Sequence, residues 1–291
     1  MSELTVQVLT HDGTILGYVD PVELSYSRVL CGVGALTLQI PASSSKADWF
    51  RPDTRIAVWR TVSGYTRLDG DTVYLLQSRR WMSEPDGREY LRIGASCANG
   101  LLRRRIVAYA AGSAQSEKTD NADDMMKAIV RENLGTSAGA SPGRNVSAWL
   151  TVAVDLGLGP SISKAFSRRR VLDVLQDLSA QSIVAGTPVY FDVVAPVLPS
   201  ALQFQTFIQY RGADRSHTGA SPLEVSQENG NLLNPELTED WTEECNAAYA
   251  GGQGEEAARV VQLSEDTARI GASVFGRRES FRDARDHDTA A

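Results

Sequence analysis

The apolar residues change their spacing twice along these 291 residues, and this double switch limits the architecture more than any single motif. Over the first hundred residues the period is two. Leu4, Val6 and Val8 alternate with Thr5 and Gln7, which predicts a strand with one buried face. The turn signal His11-Asp12-Gly13, followed by an apolar run over 15–19, predicts a hairpin. Further strands are expected at 22–30, 35–40, 55–60, 72–79 and 89–95, with Pro85-Asp86-Gly87 as the turn before the last of them. Gly32 and Gly34 interrupt this pattern where a strand must bulge or bend, as at a barrel corner. Short strands separated by turns predict a small barrel or sandwich.

The period then becomes helical. Ala122, Met125, Met126, Ile129, Val130 and Leu134 share one face of a helix over 121–134. Asp120 or Asn121 is the expected cap, and Gly135 stands where a left-handed residue closes a helix. The spacing predicts a second helix over 168–185, capped by Ser167 and ended by Gly186. Val171, Leu172, Leu175, Leu178 and Ile183 would face inward. The Met125–Met126 pair is assigned to the core. A weak strand is expected at 149–154. Strands return at 188–194, 201–211, 223–226, 257–263 and 270–275. The fold class is therefore α+β, mainly β, in three parts: a β-barrel domain at 1–110, an α/β part with two helices at 111–200, and a β-rich part at 201–291. The similar strings Arg103-Arg104-Arg105-Ile106-Val107 and Arg168-Arg169-Arg170-Val171-Leu172 are assigned to composition.

Charge follows the same division. The net charge is −7, but residues 1–116 carry +2, residues 117–200 carry −1 and residues 201–291 carry −8. Within 224–266 there are 11 acids and one base, Arg259. Such a chain is no basic nucleic-acid binder. Of its 29 basic residues 25 are arginine, a bias that a GC-rich genome explains before any recognition role does. The start of the chain lacks the basic and apolar regions of a signal peptide, and no apolar run is long enough to span a membrane. Cys31, Cys97 and Cys245 are odd in number and far apart, so a disulfide framework, a zinc ribbon and a redox CxxC are not expected. Three free thiols fit synthesis in a reducing cytoplasm.

Catalytic patterns are missing from the sequence. HExxH, GxSxG and the GxxxxGK[ST] phosphate loop do not occur. Gly251-Gly252-Gln253-Gly254 runs into Glu255 and Glu256, which repel a phosphate. A thiol–imidazole pair would need Cys245 with His217 or His287, and nothing local supports it. Asp283, Asp286, His287 and Asp288 read as a solvated charged tail rather than a cation loop. No catalytic, cofactor or metal residue is assigned. Arg103, Arg104 and Arg105, set between Leu101-Leu102 and Ile106-Val107, suit carboxylate pairing at a subunit contact. Arg277 and Arg278 are placed with them. Trp241 and Tyr249, beside Glu239-Asp240 and Glu243-Glu244, are either core residues or a surface on which a sugar stacks.

In order, the strings of this chain resemble the siphovirus tail-hub family of actinophage type, related to the baseplate hubs of myoviruses. The resemblance begins at Tyr26-Ser27-Arg28 and Gly34-Ala35-Leu36-Thr37-Leu38-Gln39-Ile40-Pro41, and continues with the strands at 56–59 and 73–79. It passes through Leu101-Leu102-Arg103-Arg104-Arg105-Ile106-Val107, then Asp123-Asp124-Met125-Met126-Lys127 and Val171-Leu172-Asp173-Val174-Leu175. It ends with Tyr210-Arg211-Gly212-Ala213-Asp214-Arg215, Gly230-Asn231-Leu232-Leu233, the stretch from Asn246 to Gly252, and Gly276-Arg277-Arg278-Glu279-Ser280-Phe281-Arg282-Asp283-Ala284-Arg285.

The resemblance implies two tail-tube-like β-barrel domains with the helical part between them. It also implies a homotrimer at the distal end of the tail, adapting a sixfold tube to a threefold tip. The implied partners are the distal tail protein ring, the tape-measure protein and a fibre, spike or host-binding protein. DNA would leave through the channel without specific binding. Relatives often continue past the Asp283-Ala284-Arg285 segment, so a further strand or receptor-binding extension, or one lent by another subunit, is expected. On this reading Glu224, Glu228, Glu236, Glu239, Asp240, Glu243 and Glu244 are either candidate lumen-facing acids, where negative charge keeps DNA from sticking, or part of a solvated outer loop. The alternatives are a tail-tip carbohydrate-binding module using Trp241 and Tyr249, and a tail-associated cell-wall hydrolase.

Overall fold

A computed structural model describes residues 2–109, 112–113, 115–139, 142–196, 202–209, 212–219, 222–232, 234–252, 254 and 259–284. The chain forms two compact units, Met1–Ala220 and Ser221–Ala291.

The alternating N-terminal residues build an eight-stranded antiparallel sheet. Strands β1 (Ser2–Leu9) and β2 (Ile15–Val19) form the expected hairpin, and β1 pairs along its whole length with β5 (Arg55–Val62). The order continues through β7 (Tyr74–Ser83), β8 (Glu89–Cys97), β4 (Ala35–Pro41) and β3 (Glu23–Tyr26), while β6 (Tyr65–Leu68) pairs with β5. Inward residues from six strands, among them Val6, Val19, Leu38, Ile56, Leu76 and Ile93, meet in one cluster, with Phe50 buried among them. The sheet therefore curls around its own core. Its pairing path ends at β2 on one side and β3 on the other, so the described strands make an open, rolled sheet and not a closed barrel.

The bend before β4 is sterically forced. A Cβ on Gly34 would lie 2.1 Å from the Ser27 carbonyl oxygen, so only glycine lets these backbones approach. The amide of Gly34 donates to the Cys97 thiol at 3.2 Å, and its carbonyl accepts from the Cys97 amide at 2.8 Å.

Helix α2 (Ala122–Asn133) buries Ala122, Met125, Met126, Ile129 and Val130 completely, as its period predicts. Each large side chain of that row contributes about 1.5–3 kcal/mol on burial. Two details differ from expectation. Asn121 holds the cap position but its side chain makes no capping bond. Gly135 is not left-handed; it stands where a Cβ would come 2.8 Å from the Arg131 Cα. Helix α3 (Val171–Val184) starts later than expected, with Arg170 and not Ser167 at its cap, and ends at left-handed Gly186. Ile183 is exposed, while Val171, Leu172, Leu175 and Leu178 are buried.

The helices pack on β10 (Leu150–Val152), β13 (Leu202–Ile208) and β12 (Val189–Val194), a mixed sheet in that order. Strand β13, expected within the C-terminal part, thus pairs with strands of the middle part. An antiparallel pair, β9 (Ser116–Asn121) with β11 (Ser161–Phe166), precedes the two helices. The two Arg-rich strings assigned to composition meet each other. Ile106 and Arg170 form an antiparallel bridge, flanked by Val107 N to Arg169 O at 2.8 Å and Val171 N to Arg105 O at 2.9 Å.

Polar bonds tie the rolled sheet to the helical part. Buried Asn99 donates to the Gly32 carbonyl at 2.8 Å and accepts from the Val193 amide at 2.8 Å. Thr72 donates to the Val193 carbonyl at 2.9 Å, and Arg28 pairs with Asp192. A single apolar cluster runs from Leu9, Leu75 and Leu102 to Met126, Leu175 and Phe204.

The second unit is a small sheet. Strand β14 (Ala247–Gly251) lies between antiparallel β15 (Val261–Glu265) and parallel β16 (Glu279–Asp283). Helix α4 (Thr267–Ala272) occupies much of the segment expected as a strand at 270–275. Its cap, Asp266, accepts from the Arg269 amide at 3.0 Å. The expected strand at 223–226 is irregular backbone, held by Ser226 N to Asn231 Oδ1 and Asn231 Nδ2 to Glu224 O, each 2.8 Å. Residues 255–258 lie outside the described part, as does the start of the strand expected at 257–263.

Candidate assembly surfaces

The loop arginines of the first unit border a cavity. After β8 the chain enters the short helix α1 (Gly100–Arg103), anchored by fully buried Leu102. Arg103 points to solvent, Arg104 pairs with Asp53 at 2.6 Å, and Arg105 donates from Nη2 to the Gly143 carbonyl at 2.7 Å. Arg104 and Arg105 line a cavity of about 250 Å³ together with Arg55, Leu101, Leu134 and Trp149. His11, also at its lining, meets Trp149 edge to face with ring centroids 5.5 Å apart. Arg55 is 2% exposed, and burial lowers its pKa against the charge of nearby Asp12.

A buried ion pair organises the loop beside α2. Lys127 Nζ lies 2.8 Å from Asp123 Oδ2, one helical turn away, with side chains 1% and 0% exposed. The same ammonium donates to the Val154 carbonyl at 2.7 Å, and Asp123 Oδ1 accepts from the Leu158 amide at 2.9 Å. Asp124 accepts from the amides of Leu156 and Gly157 at 3.0 and 3.1 Å. Burial acts to raise the pKa of Asp124, but these amide bonds and Lys127 outweigh it and hold the carboxyl below its ordinary value. The sequence signal for this pair is Lys127 standing on an otherwise apolar helix face, one turn after Asp123.

In the second unit the register sets Tyr249, Leu263 and Phe281 in one row across the three strands. Leu263, Phe281 and Val261 are 43–55% exposed, and Ala247 is the only buried apolar residue of this unit among the described residues. Arginines frame the row. Arg259 stacks on Phe281 with its guanidinium 5.2 Å from the ring centre and pairs with Asp283 at 2.5 Å. Arg277 pairs with Glu279 at 2.7 Å and with Glu265, and donates to the Tyr249 hydroxyl at 3.1 Å. The bonds to Glu279 and Glu265 raise its pKa. Arg278 pairs with Glu244 at 2.8 Å and donates to the Trp241 carbonyl at 2.8 Å.

Of the seven acids singled out in the sequence, Glu224, Glu228, Glu236, Glu239, Asp240 and Glu243 are exposed on irregular backbone. Glu244 is half-buried and also pairs with Arg269 at 3.2 Å. Asp240 is held below its ordinary pKa by the Thr242 hydroxyl and amide. Trp241 is 56% exposed, so it is not core. Tyr210, Arg211, Glu255, Glu256, Arg285, Asp286, His287 and Asp288 lie outside the described residues. Among the described residues no three His, Cys, Asp or Glu side chains gather as a metal site, and no helix is long and apolar enough to cross a membrane.

This arrangement is the fold of phage tail proteins. A tail protein from Neisseria meningitidis superposes with a TM-score of 0.52 at 12% identity, covering 96% of this chain and 71% of that one. A 43 kDa tail protein of prophage MuSo2 from Shewanella oneidensis gives 0.51 at 11% identity, covering 97% and 71%. The chain belongs to the siphovirus ReqiPepy6 Gp37-like protein family, whose model matches residues 5–291. No curated protein matches significantly.

Proposed function

We propose that this tail protein is a structural hub at the distal tip of a siphovirus tail, acting as a homotrimer without catalytic activity. Three copies adapt the sixfold tube to a threefold tip and line the exit channel. The ring docks on the distal tail protein, carries a fibre, spike or host-binding protein, and lets tape-measure protein and DNA pass. The observation that carries this reading is the second unit. A three-stranded sheet with one buried apolar residue, and a row in which Leu263 and Phe281 are exposed and Tyr249 half-buried, lacks the apolar burial that would keep it folded alone. Such a face is covered in an assembly. The open edges β2 and β3 add to this, since an unpaired strand with exposed Ile15 and Tyr18 on it is a template for a neighbour.

In the ring, exposed Arg103 lies at a subunit contact, and the arginine-framed row with Arg277 and Arg278 at another; Arg104 and Arg105, expected beside Arg103, are engaged within the chain by Asp53 and the Gly143 carbonyl. The six exposed acids with Glu244 partly face the lumen, where they repel DNA. Sedimentation of the purified chain tests the assembly. A species of three times 31.5 kDa that becomes monomeric in Phe281→Asp supports it. A wild-type monomer at all concentrations contradicts it.

A further inference from the structure

We infer that the arginine-lined cavity of the first unit is a docking groove for an extended, acidic–apolar peptide segment of a partner protein. The inference goes beyond the hub reading and does not depend on the ring. The cavity of about 250 Å³ has an apolar wall, with Leu101, Leu134 and Trp149 in it, and a basic wall of Arg55, Arg104 and Arg105. Against three arginines the lining holds one carboxylate, Asp53, which Arg104 already engages; Asp12 acts on Arg55 from outside the lining.

The basic wall has an unmet demand. Arg105 Nε is buried and has no hydrogen-bond partner, the only such side-chain atom among the described residues. A buried donor left unpaired costs free energy that an incoming acceptor recovers. A carboxylate beside this guanidinium supplies that acceptor after a small rotation of the arginine side chain, and a neighbouring large apolar side chain fills the leucine-lined wall. The ligand is therefore anionic and amphipathic.

Its shape favours a chain over a small molecule. A second cavity of about 330 Å³ shares His11 with the first and is lined by Leu16, Trp49 and Pro52 and by one charge of each sign, Arg51 and Asp48, so it suits an apolar side chain of the peptide. Cavities that share a lining residue are neighbours, so a peptide seated in the first has the second within its reach. Apolar pockets joined to a few fixed polar groups are the usual makeup of a recognition site.

The test is fluorescence anisotropy of the full-length protein with a labelled decapeptide alternating glutamate and leucine. A glutamine-for-glutamate peptide and decanoate serve as comparisons. The acidic peptide is expected to bind roughly tenfold or more tightly than the glutamine peptide, and Arg105→Lys to weaken it by about tenfold, the loss of one charge-assisted bond. Arg80→Ala, an exposed arginine outside the lining, leaves binding unchanged. Should Arg105→Lys fail to fold, Trp149→Ala at the half-exposed rim weakens the same peptide. Equal binding of the two peptides, wild-type binding by Arg105→Lys, or an equal loss in Arg80→Ala overturns the inference. So does binding of decanoate with no binding of the acidic peptide, which assigns the cavity to a small amphiphile. The assay reads a monomer and a trimer alike, so failure of the groove and failure of the ring are separate results.

Discussion

Replacing Lys127 by methionine keeps the helix-forming shape of the side chain and removes one charge from a site where both partners are sealed from water. Asp123 is then a carboxylate at 0% exposure without its counter-ion, although it still accepts from the Leu158 amide. The Val154 carbonyl also loses its donor. Breaking a buried pair from one side costs about 3–5 kcal/mol, because the remaining charge is uncompensated. For a unit of this size each kcal/mol lowers Tm by roughly 2–4 °C, so the variant should melt roughly 6–20 °C below wild type. Asp123→Asn should cost a similar amount, since it strands the ammonium. The double variant carries no buried charge at this site and should lose less than the two single losses combined. Urea unfolding followed by circular dichroism gives all four stabilities. A loss below about 1 kcal/mol in Lys127→Met, the range of an exposed pair, would refute the claim that this pair is cut off from water and fixes the loop at 154–158.

Other outcomes follow from the same contacts. Gly34→Ala should destabilise the rolled sheet by about 1–3 kcal/mol in urea unfolding, because its Cβ meets backbone and not a movable side chain. Stability should fall as pH drops below about 4. For Asp69, burial acts to raise the pKa, but bonds from Arg60 and Tyr26 bring it below the ordinary value; Asp177 behaves alike with Arg169 and Lys164. A carboxyl with a lowered folded pKa stabilises above its unfolded pKa and loses that contribution as pH falls through the folded one, so a midpoint unchanged between pH 6 and pH 3 would contradict these pairings. One thiol, Cys245, should react with a thiol reagent in the native protein and three after denaturation, since Cys31 and Cys97 are buried and burial raises the pKa of Cys31.

Much of the first unit was legible because its signals are local. Period-two alternation and turn signals located β1, β2, β3, β4, β5, β7 and β8, and period 3.6 located the buried row of α2. The failures have physical reasons. Gly135 read as a left-handed cap, but glycine serves close approach as well as positive φ, and composition does not separate the two. Residues 270–275 read as a strand because Ile270, Val274 and Phe275 are apolar, yet Asp266 caps a helical turn there and both Val274 and Phe275 are exposed. In the short pair β9–β11, β9 is polar and charged throughout, and in β11 Lys164 interrupts the buried face between Ile162 and Phe166, so neither strand shows a clear apolar alternation. In the candidate surfaces the sequence singled out Arg104 and Arg105, but the cavity they line is made by Arg55, Leu134 and Trp149, brought in from distant parts of the chain by tertiary packing. The rolled sheet was foreseen as a barrel; strand content and turns do not say whether β2 and β3 pair, and they do not.

The central claim is threefold assembly at the tail tip. Cryo-electron microscopy of intact tails, with this chain fitted into the distal density, tests it most directly. The account predicts three copies around a channel beneath a sixfold ring, with the Tyr249–Leu263–Phe281 row covered by a neighbour. Six copies, copies repeated along the tube, or three copies whose row faces solvent would contradict it.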